Sequence, residues 1–441
     1  MRYGEYKETP EAVWFSAIPS TWRATKMREL FSERNEKVSD KDFAPLSIGK
    51  MGVVPQLDTA VKTDNGDNRK LIREGDFAIN SRSDRKGSCG ISKFDGSCSL
   101  IITVLKPHNN MSGRYVHYLL RSHYFSEEFY RNGHGLVADL WTTKWDEMRN
   151  IYIPVPPREE QEQIVRYLDW KVSKINKLIH GYQRQIKLLE EIRNSQIKRI
   201  ISSYPIERYI QLKYLGEFSK GGGFSRDNLL ECDGYPAVLY GDIYTQYRFT
   251  TERIAHLIDK EAYQKACKIK CGDIVFAGTG ETKDEIGKPI LYTGNQTVAI
   301  GGDVISFRNT SDIDSRFLLY YLYTDDALKH RYVNGKGDII VHISASALGN
   351  QIITIPNAQD ISEIVIRIEK IITYTAQNIA GIKKEISLLT EYRTRLISDV
   401  VTGQIDVRGI EVPDYIPEED IDETVEENKD AEVDTDAESD Q

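Results

Sequence analysis

The stretch Ile179-His180-Gly181-Tyr182-Gln183-Arg184-Gln185-Ile186-Lys187-Leu188-Leu189-Glu190-Glu191-Ile192-Arg193-Asn194-Ser195-Gln196-Ile197 returns 200 residues later. There it reads Ile379-Ala380-Gly381-Ile382-Lys383-Lys384-Glu385-Ile386-Ser387-Leu388-Leu389-Thr390-Glu391-Tyr392-Arg393-Thr394-Arg395-Leu396-Ile397. Eight of nineteen positions are identical: Ile179/379, Gly181/381, Ile186/386, Leu188/388, Leu189/389, Glu191/391, Arg193/393 and Ile197/397. That is far above chance, so the chain is a tandem duplication. Upstream, Ile153-Pro154 pairs with Ile355-Pro356 and Gly75-Asp76-Phe77 with Gly272-Asp273-Ile274, the offset drifting as loops of unequal length require.

Both copies lie in long helical patterns. In the second, Ile361, Val365, Ile368, Ile372, Thr375, Ile379, Ile382, Ile386, Leu389, Arg393, Leu396 and Val400 step by fours and threes, a period near 3.5. The first repeats it through Val165, Leu168, Val172, Ile175, Ile179, Tyr182, Ile186, Leu189, Arg193, Gln196 and Ile200. A narrow apolar stripe on so long a helix needs a partner of equal length, and the other repeat supplies it. Two antiparallel helices in a coiled coil are therefore expected. Pro154, Pro156 and Pro157 mark entry to the first, Pro356 entry to the second, and Gly403 its end. Gly181 and Gly381 lie inside the patterns, either as points of close helix crossing or as local weaknesses. Arg193 and Arg393, in the seam, read as a register device or paired charges.

Residues 1–153 and 205–355 have another texture: short β-branched runs, many glycines, abundant tyrosine. The fold class is mixed α/β, two globular domains separated by the two long helices in a pseudo-twofold repeat. The expected divisions are 1–153, the helix 154–204, 205–355, the helix 356–404 and an acidic disordered tail, 405–441. Strands are predicted at Phe77–Asn80, Leu100–Leu105, Ile274–Ala277 and Val298–Phe307, and helices on the sheets at Arg114–Phe129 and Ser315–Tyr323.

The 441 residues carry a net charge of −9, but the last 31 contribute −14, leaving residues 1–410 at +5. A mildly basic body sits behind an acidic appendage, which reads as a solvated tail or as a competitor with nucleic acid for the body. The amino terminus is too polar for a signal peptide and no uncharged apolar run is long enough to span a bilayer, so no membrane is expected. Five unevenly spaced cysteines suit a reducing cytoplasm, and no metal is expected.

Three motifs in combination carry a family resemblance. They are Ile18-Pro19-Ser20-Thr21-Trp22, Ile153-Pro154-Val155-Pro156-Pro157-Arg158-Glu159-Glu160-Gln161-Glu162-Gln163-Ile164, and Val401-Thr402-Gly403-Gln404-Ile405. As far as about Val407 the chain resembles the specificity subunits of type I restriction-modification systems. The second half departs from the pattern, reading Ile355-Pro356-Asn357-Ala358-Gln359-Asp360 where the first has its proline and Glu-Gln signature. The resemblance implies a non-catalytic subunit whose two α/β regions are target-recognition domains, each reading half of a split sequence in double-stranded DNA. It implies two partner methyltransferase subunits that use S-adenosylmethionine and, in restriction complexes, two motor-nuclease subunits that use ATP and Mg. No cofactor is expected in this chain.

Direct reading needs polar and basic loops that bring donors and acceptors to base edges. In the first half these are Asn65, Asn68, Arg69 and Lys70; Arg82, Arg85 and Lys86 after a predicted strand; and Thr142 and Lys144 between Trp141 and Trp145. In the second they are Lys220, Gly222, Ser225 and Arg226; Thr279, Thr282 and Lys283; and Asn334 and Lys336. Glycines in these loops allow close backbone approach to phosphate. Solvated turns, and core packing for the tryptophans, are the competing readings.

Rival activities fare worse. There is no Gly-x-x-x-x-Gly-Lys-Ser/Thr and no Asp/Asn-Pro-Pro-aromatic run, which leaves no motor and no self-contained methylation. A Mg-dependent nuclease would use Asp273, Glu281 and Lys283, a weak spacing that the Asp76 copy lacks. A coiled-coil scaffold without specific DNA binding accounts for the helices but leaves two basic, loop-rich domains without a task.

Overall fold

The computed structural model describes residues 2–56, 66–82, 85–108, 111–135, 141–338 and 340–416. The acidic segment 417–441 lies outside the described residues, as do Asn65, Ser83 and Asp84. The chain divides into two compact units, one of Met1–Arg184 with Lys383–Gln441, the other of Gln185–Ile382.

In the first unit a four-stranded antiparallel sheet runs Cys89–Ile91, Phe77–Asn80, Ile102–Pro107, Phe31–Glu33. Side chains of a strand alternate between faces. Phe77, Ile79 and Leu105 accordingly enter the main core, while Ala78, Ile102 and Val104 enter a smaller one with Leu46, Val53 and Ile72. The strand predicted at Leu100–Leu105 begins two residues later. The single predicted helix is two, Gly113–Leu120 and His123–Arg131, because the Ser122 hydroxyl caps the second by accepting from Phe125 N–H.

The main core extends into the long helices. Ile164, Leu168, Val172, Ile175 and Ile179 of Arg158–Ser202 pack with Leu396, Val400 and Val401 of Ala358–Val401, so the start of one lies against the end of the other. The expected antiparallel pairing is what forms. Asn176, fully buried in this seam, accepts from Arg393 Nη1 at 2.9 Å. Gly403, at φ +74°, ends the second helix; a Cβ there would sit 2.5 Å from Pro19 Cδ. The chain then stays on the body. Val407 is buried, and Gln163 Nε2 donates to the carbonyls of Val407 and Ile410, so residues 405–412 are core-forming and not the expected tail. The motif residues Ile18 and Trp22 are fully buried, and Gln161 joins the Pro156 carbonyl to Ser112 N–H. These motif residues pack the fold.

The second unit repeats the plan. Ile274–Ala277 lies between Val304–Asn309 and Pro289–Tyr292 in a five-stranded sheet, sending Ile274 and Phe276 to one core and Val275 and Ala277 to another. The strand predicted over Val298–Phe307 is broken at Gly301-Gly302 into Val298–Ile300 and Val304–Asn309, which belong to different five-stranded sheets. The helix predicted at Ser315–Tyr323 spans Ser315–Tyr321. Ile197, Ile200 and Ile201 pack with Ile361, Ile364, Val365 and Ile368. Gln196, expected in the seam, is exposed, and Ile197 takes its place. Arg193 donates instead to Oδ1 of Asn194, its neighbour on the same helix (3.2 and 3.1 Å); its guanidinium lies 4.9 Å from the Phe249 ring centre, and burial lowers its pKa. A Cβ at Gly181 or Gly381 would meet nothing within 4 Å, so neither glycine serves a close crossing.

One turn is duplicated in detail. Gly75 and Gly272 take φ of +86° and +91°, which glycine adopts without strain. Asp76 accepts from Arg73 N–H and is gripped by Arg34 (2.6 and 3.1 Å); Asp273 accepts from Lys270 N–H and is gripped by Arg308 (2.9 and 2.6 Å).

Candidate nucleic-acid interface

Three segments that the sequence places far apart meet beside the end of each duplicated core strand. In the first unit Phe77–Asn80 runs on into Ser81-Arg82. Helix His123–Arg131 ends into Gly133-His134, and the run 141–143 precedes the short helix Trp145–Met148. Thr142 and His134 exchange both backbone hydrogen bonds (3.0 and 2.9 Å), and Thr143 N–H donates to the Ser81 carbonyl at 2.9 Å. The joint is built to be rigid. Buried Thr143 donates its hydroxyl to the Phe129 carbonyl, and Trp141 stacks on Tyr130 at 5.9 Å while donating to its carbonyl. Gly133 leaves room for that indole, since a Cβ would fall 2.5 Å from Trp141 Nε1. What projects is polar: Arg82 and Lys144 are exposed, Thr142 and Arg85 half-buried. Lys86 pairs with Glu127 over the Tyr130 ring. Arg82, Arg85 and Lys86 also line a cleft of about 450 Å³ whose floor is Phe125 and Phe129.

The second unit builds the same joint. His342 and Lys336 exchange both backbone bonds (2.8 and 2.9 Å), and Ile343 N–H donates to the Gly278 carbonyl at 2.9 Å. Arg82 thus corresponds to Thr279, His134 to Lys336, and Thr142 to His342. Thr279 is buried, and its hydroxyl lies 2.9 Å from His342 Nδ1. Asn334 donates to the His330 carbonyl at the end of its helix, leaving Lys336 exposed, with Thr282 exposed and Lys283 half-buried nearby in sequence.

The structure thus brings Arg82, Thr142 and Lys144 together in one unit, and Thr279 and Lys336 in the other. The remaining expected residues are used otherwise. Arg69 is buried, its guanidinium donating to the Ser97 hydroxyl and carbonyl. Lys70 is held by Glu33 and the Ile102 carbonyl, and Asn68, beside them, is half-buried. The amides of Gly221 and Gly222 donate to Val304 and Ile300 carbonyls, and a Cβ on Gly221 would fall 2.1 Å from the Gly301 carbonyl oxygen. These glycines serve strand approach instead of phosphate. Ser225 caps the turn Arg226–Asn228 and Lys220 ends a strand; Lys220, Ser225 and Arg226 are exposed, away from the joint in sequence. The nuclease alternative loses its central residue, because both Asp273 oxygens are taken by Arg308. Among the described residues no group of three His, Cys, Asp or Glu side chains could hold a metal. No helix among them is long and apolar enough to cross a membrane.

His134 and His342 were missed by sequence reasoning. The signal was present: carrying Thr142 forward by the repeat offset of 200 lands on His342.

A family model described as the type I restriction modification DNA specificity domain matches residues 208–388. No curated protein matches the chain. Among solved structures, one reported as the structural basis of complex assembly and conformational transition of the type I R-M system aligns with a TM-score of 0.61 at 16% identity. That alignment covers 88% of this chain and 99% of the other, and shows a shared fold. The HsdS subunit from Thermoanaerobacter tengcongensis aligns at 17% identity over 87% and 96% of the two chains, TM-score 0.39. A type I S subunit from M. genitalium aligns at 16% over 89% and 98%, TM-score 0.34. Residues 208–388, most of them in the second unit, therefore match the type I restriction modification DNA specificity domain, and the chain shares its fold with a solved structure of a type I R-M system.

Proposed function

We propose that this chain is the DNA-reading, non-catalytic subunit of a type I restriction-modification assembly, each unit recognising one half of a two-part target in double-stranded DNA. The observation that carries this reading is the duplicated joint: one backbone arrangement built twice, with different polar side chains at its projecting positions. Two equal frames with unequal contents are what reading two different half-sites requires. The long helices set the gap between half-sites. They also dock two methyltransferase subunits, to which exposed Leu188 and Leu388, and Ile192 and Tyr392, offer equivalent apolar contacts. Methyl transfer from S-adenosylmethionine belongs to those partners. ATP- and Mg-dependent translocation and cleavage belong to motor-nuclease subunits where the assembly includes them.

Deleting one heptad from each long helix, residues 182–188 and 382–388, shortens each by about 10 Å. Selection from duplexes with a randomised two-part target should then return a gap shorter by about three base pairs, at roughly 3.4 Å per step. An unaltered gap would defeat the spacer role.

A further inference from the structure

We infer that each joint presents one base-reading side chain. Arg82 reads a guanine in one half-site, and His342, held by Thr279, reads a hydrogen-bond acceptor in the other. The inference deepens the DNA-recognition reading and rests on it.

The argument begins with equivalence. Six backbone hydrogen bonds, three per unit, place Arg82 and Thr142 at the positions that Thr279 and His342 hold in the second unit. Of these four residues, two stand out into solvent: Arg82 in the first unit and His342 in the second. The exposed residue is therefore on opposite segments of the joint in the two units, and so is the chemistry. Arg82 leaves the core strand Phe77–Asn80, and its guanidinium has no side-chain hydrogen bond among the described residues. An arginine presented this way matches the O6 and N7 acceptors of guanine with two parallel donors.

In the second unit the core-strand position is the buried hydroxyl of Thr279, and the projecting group is the imidazole across the bridge. A buried hydroxyl proton needs an acceptor. His342 Nδ1, 2.9 Å away, is the partner of this one among the described residues. The hydroxyl therefore donates to Nδ1, which leaves the ring proton on Nε2, at the outer edge of the ring. An imidazole held in that tautomer turns one donor toward a base edge, to purine N7 or O6 or thymine O4. Thr279 is a positioning residue and His342 the reader. One donor discriminates less than a fork, so the second half-site is read more loosely at this position than the first.

The test is selection of two-part targets from randomised duplexes by the full chain, wild type against Arg82→Gln, His342→Ala, Thr279→Val and Thr279→Ser. The half-site belonging to the unaltered unit is the internal control for folding. Gln matches adenine N6 and N7, so Arg82→Gln should turn a guanine preference of roughly 10- to 100-fold toward adenine at a single position. His342→Ala should flatten one position of the other half-site. Thr279→Val should flatten the same position, and Thr279→Ser should restore it, which a merely structural role would not require. Wild-type preference for a split sequence that survives Arg82→Gln and His342→Ala unchanged would overturn this inference and leave the proposed function standing. So would an equal loss of affinity on all sequences, the mark of a phosphate contact. A wild-type chain indifferent to sequence would overturn both.

Discussion

The two units share a frame and differ in how it is closed. In the first, the strand pair Arg23–Lys26 and Tyr152–Val155 is packed by the amino-terminal segment, where Trp14 donates to the Tyr152 carbonyl and Ala24 is partly buried. In the second, the equivalent pair Arg208–Gln211 and Ile352–Ile355 leaves Tyr209 69% and Ile352 52% exposed. The first unit also has a polar lock in its helix seam, Asn176 on Arg393, where the second has Arg193 lying on Phe249. What survives in both copies is the Asp–Arg turn and the three-segment joint. Duplication has therefore kept the turn and the joint in place and left terminal packing free to diverge.

The strongest challenge to that equivalence is the Asp–Arg turn itself. Replacing Arg34 or Arg308 by Met strands a buried carboxylate in either unit, Asp76 or Asp273, and each should cost about 3 kcal/mol. Clearly unequal losses in urea denaturation would break the equivalence of the two turns. The seam gives the next effect. Asn176→Leu removes the acceptor of a charge-assisted bond between the helices and should cost about 2 kcal/mol, while Arg193→Leu, which loses a ring contact and bonds to its own neighbour Asn194, should cost about 1 kcal/mol. The smallest effect is a gain. Gly181→Ala and Gly381→Ala, each into open space, should stabilise by about 1 kcal/mol apiece, and a loss at either would restore the close-crossing role.

Much of the fold was legible because periodicity and repetition are local properties of a chain. Phe77–Asn80 and Ile274–Ala277 were bounded by their turn glycines, and the helix seam by its fours and threes. Breaks set by tertiary context were not legible: the Gly301-Gly302 corner moves one predicted strand into two sheets, and Ser122 divides one predicted helix. The candidate site divided along the same line. Arg82, Lys144 and Lys336 are exposed and Thr142 is half-buried. Arg69, Lys70 and Thr279 turn inward, because a polar side chain's partner comes from strands remote in sequence: Ser97, Glu33 and His342.

The first unit is assembled from two separate stretches, 1–184 and 383–441, while the second is one unbroken stretch, 185–382. During synthesis the usual order is then reversed. The later-encoded unit has all its parts first, and the earlier one waits while the ribosome adds those residues, on the order of 10–40 s at ~5–20 residues per second. Trp22, Ile164 and their neighbours meanwhile lack Leu396, Val400 and Val407 to cover them. A nascent chain stopped before residue 383 therefore forfeits the unit it made first.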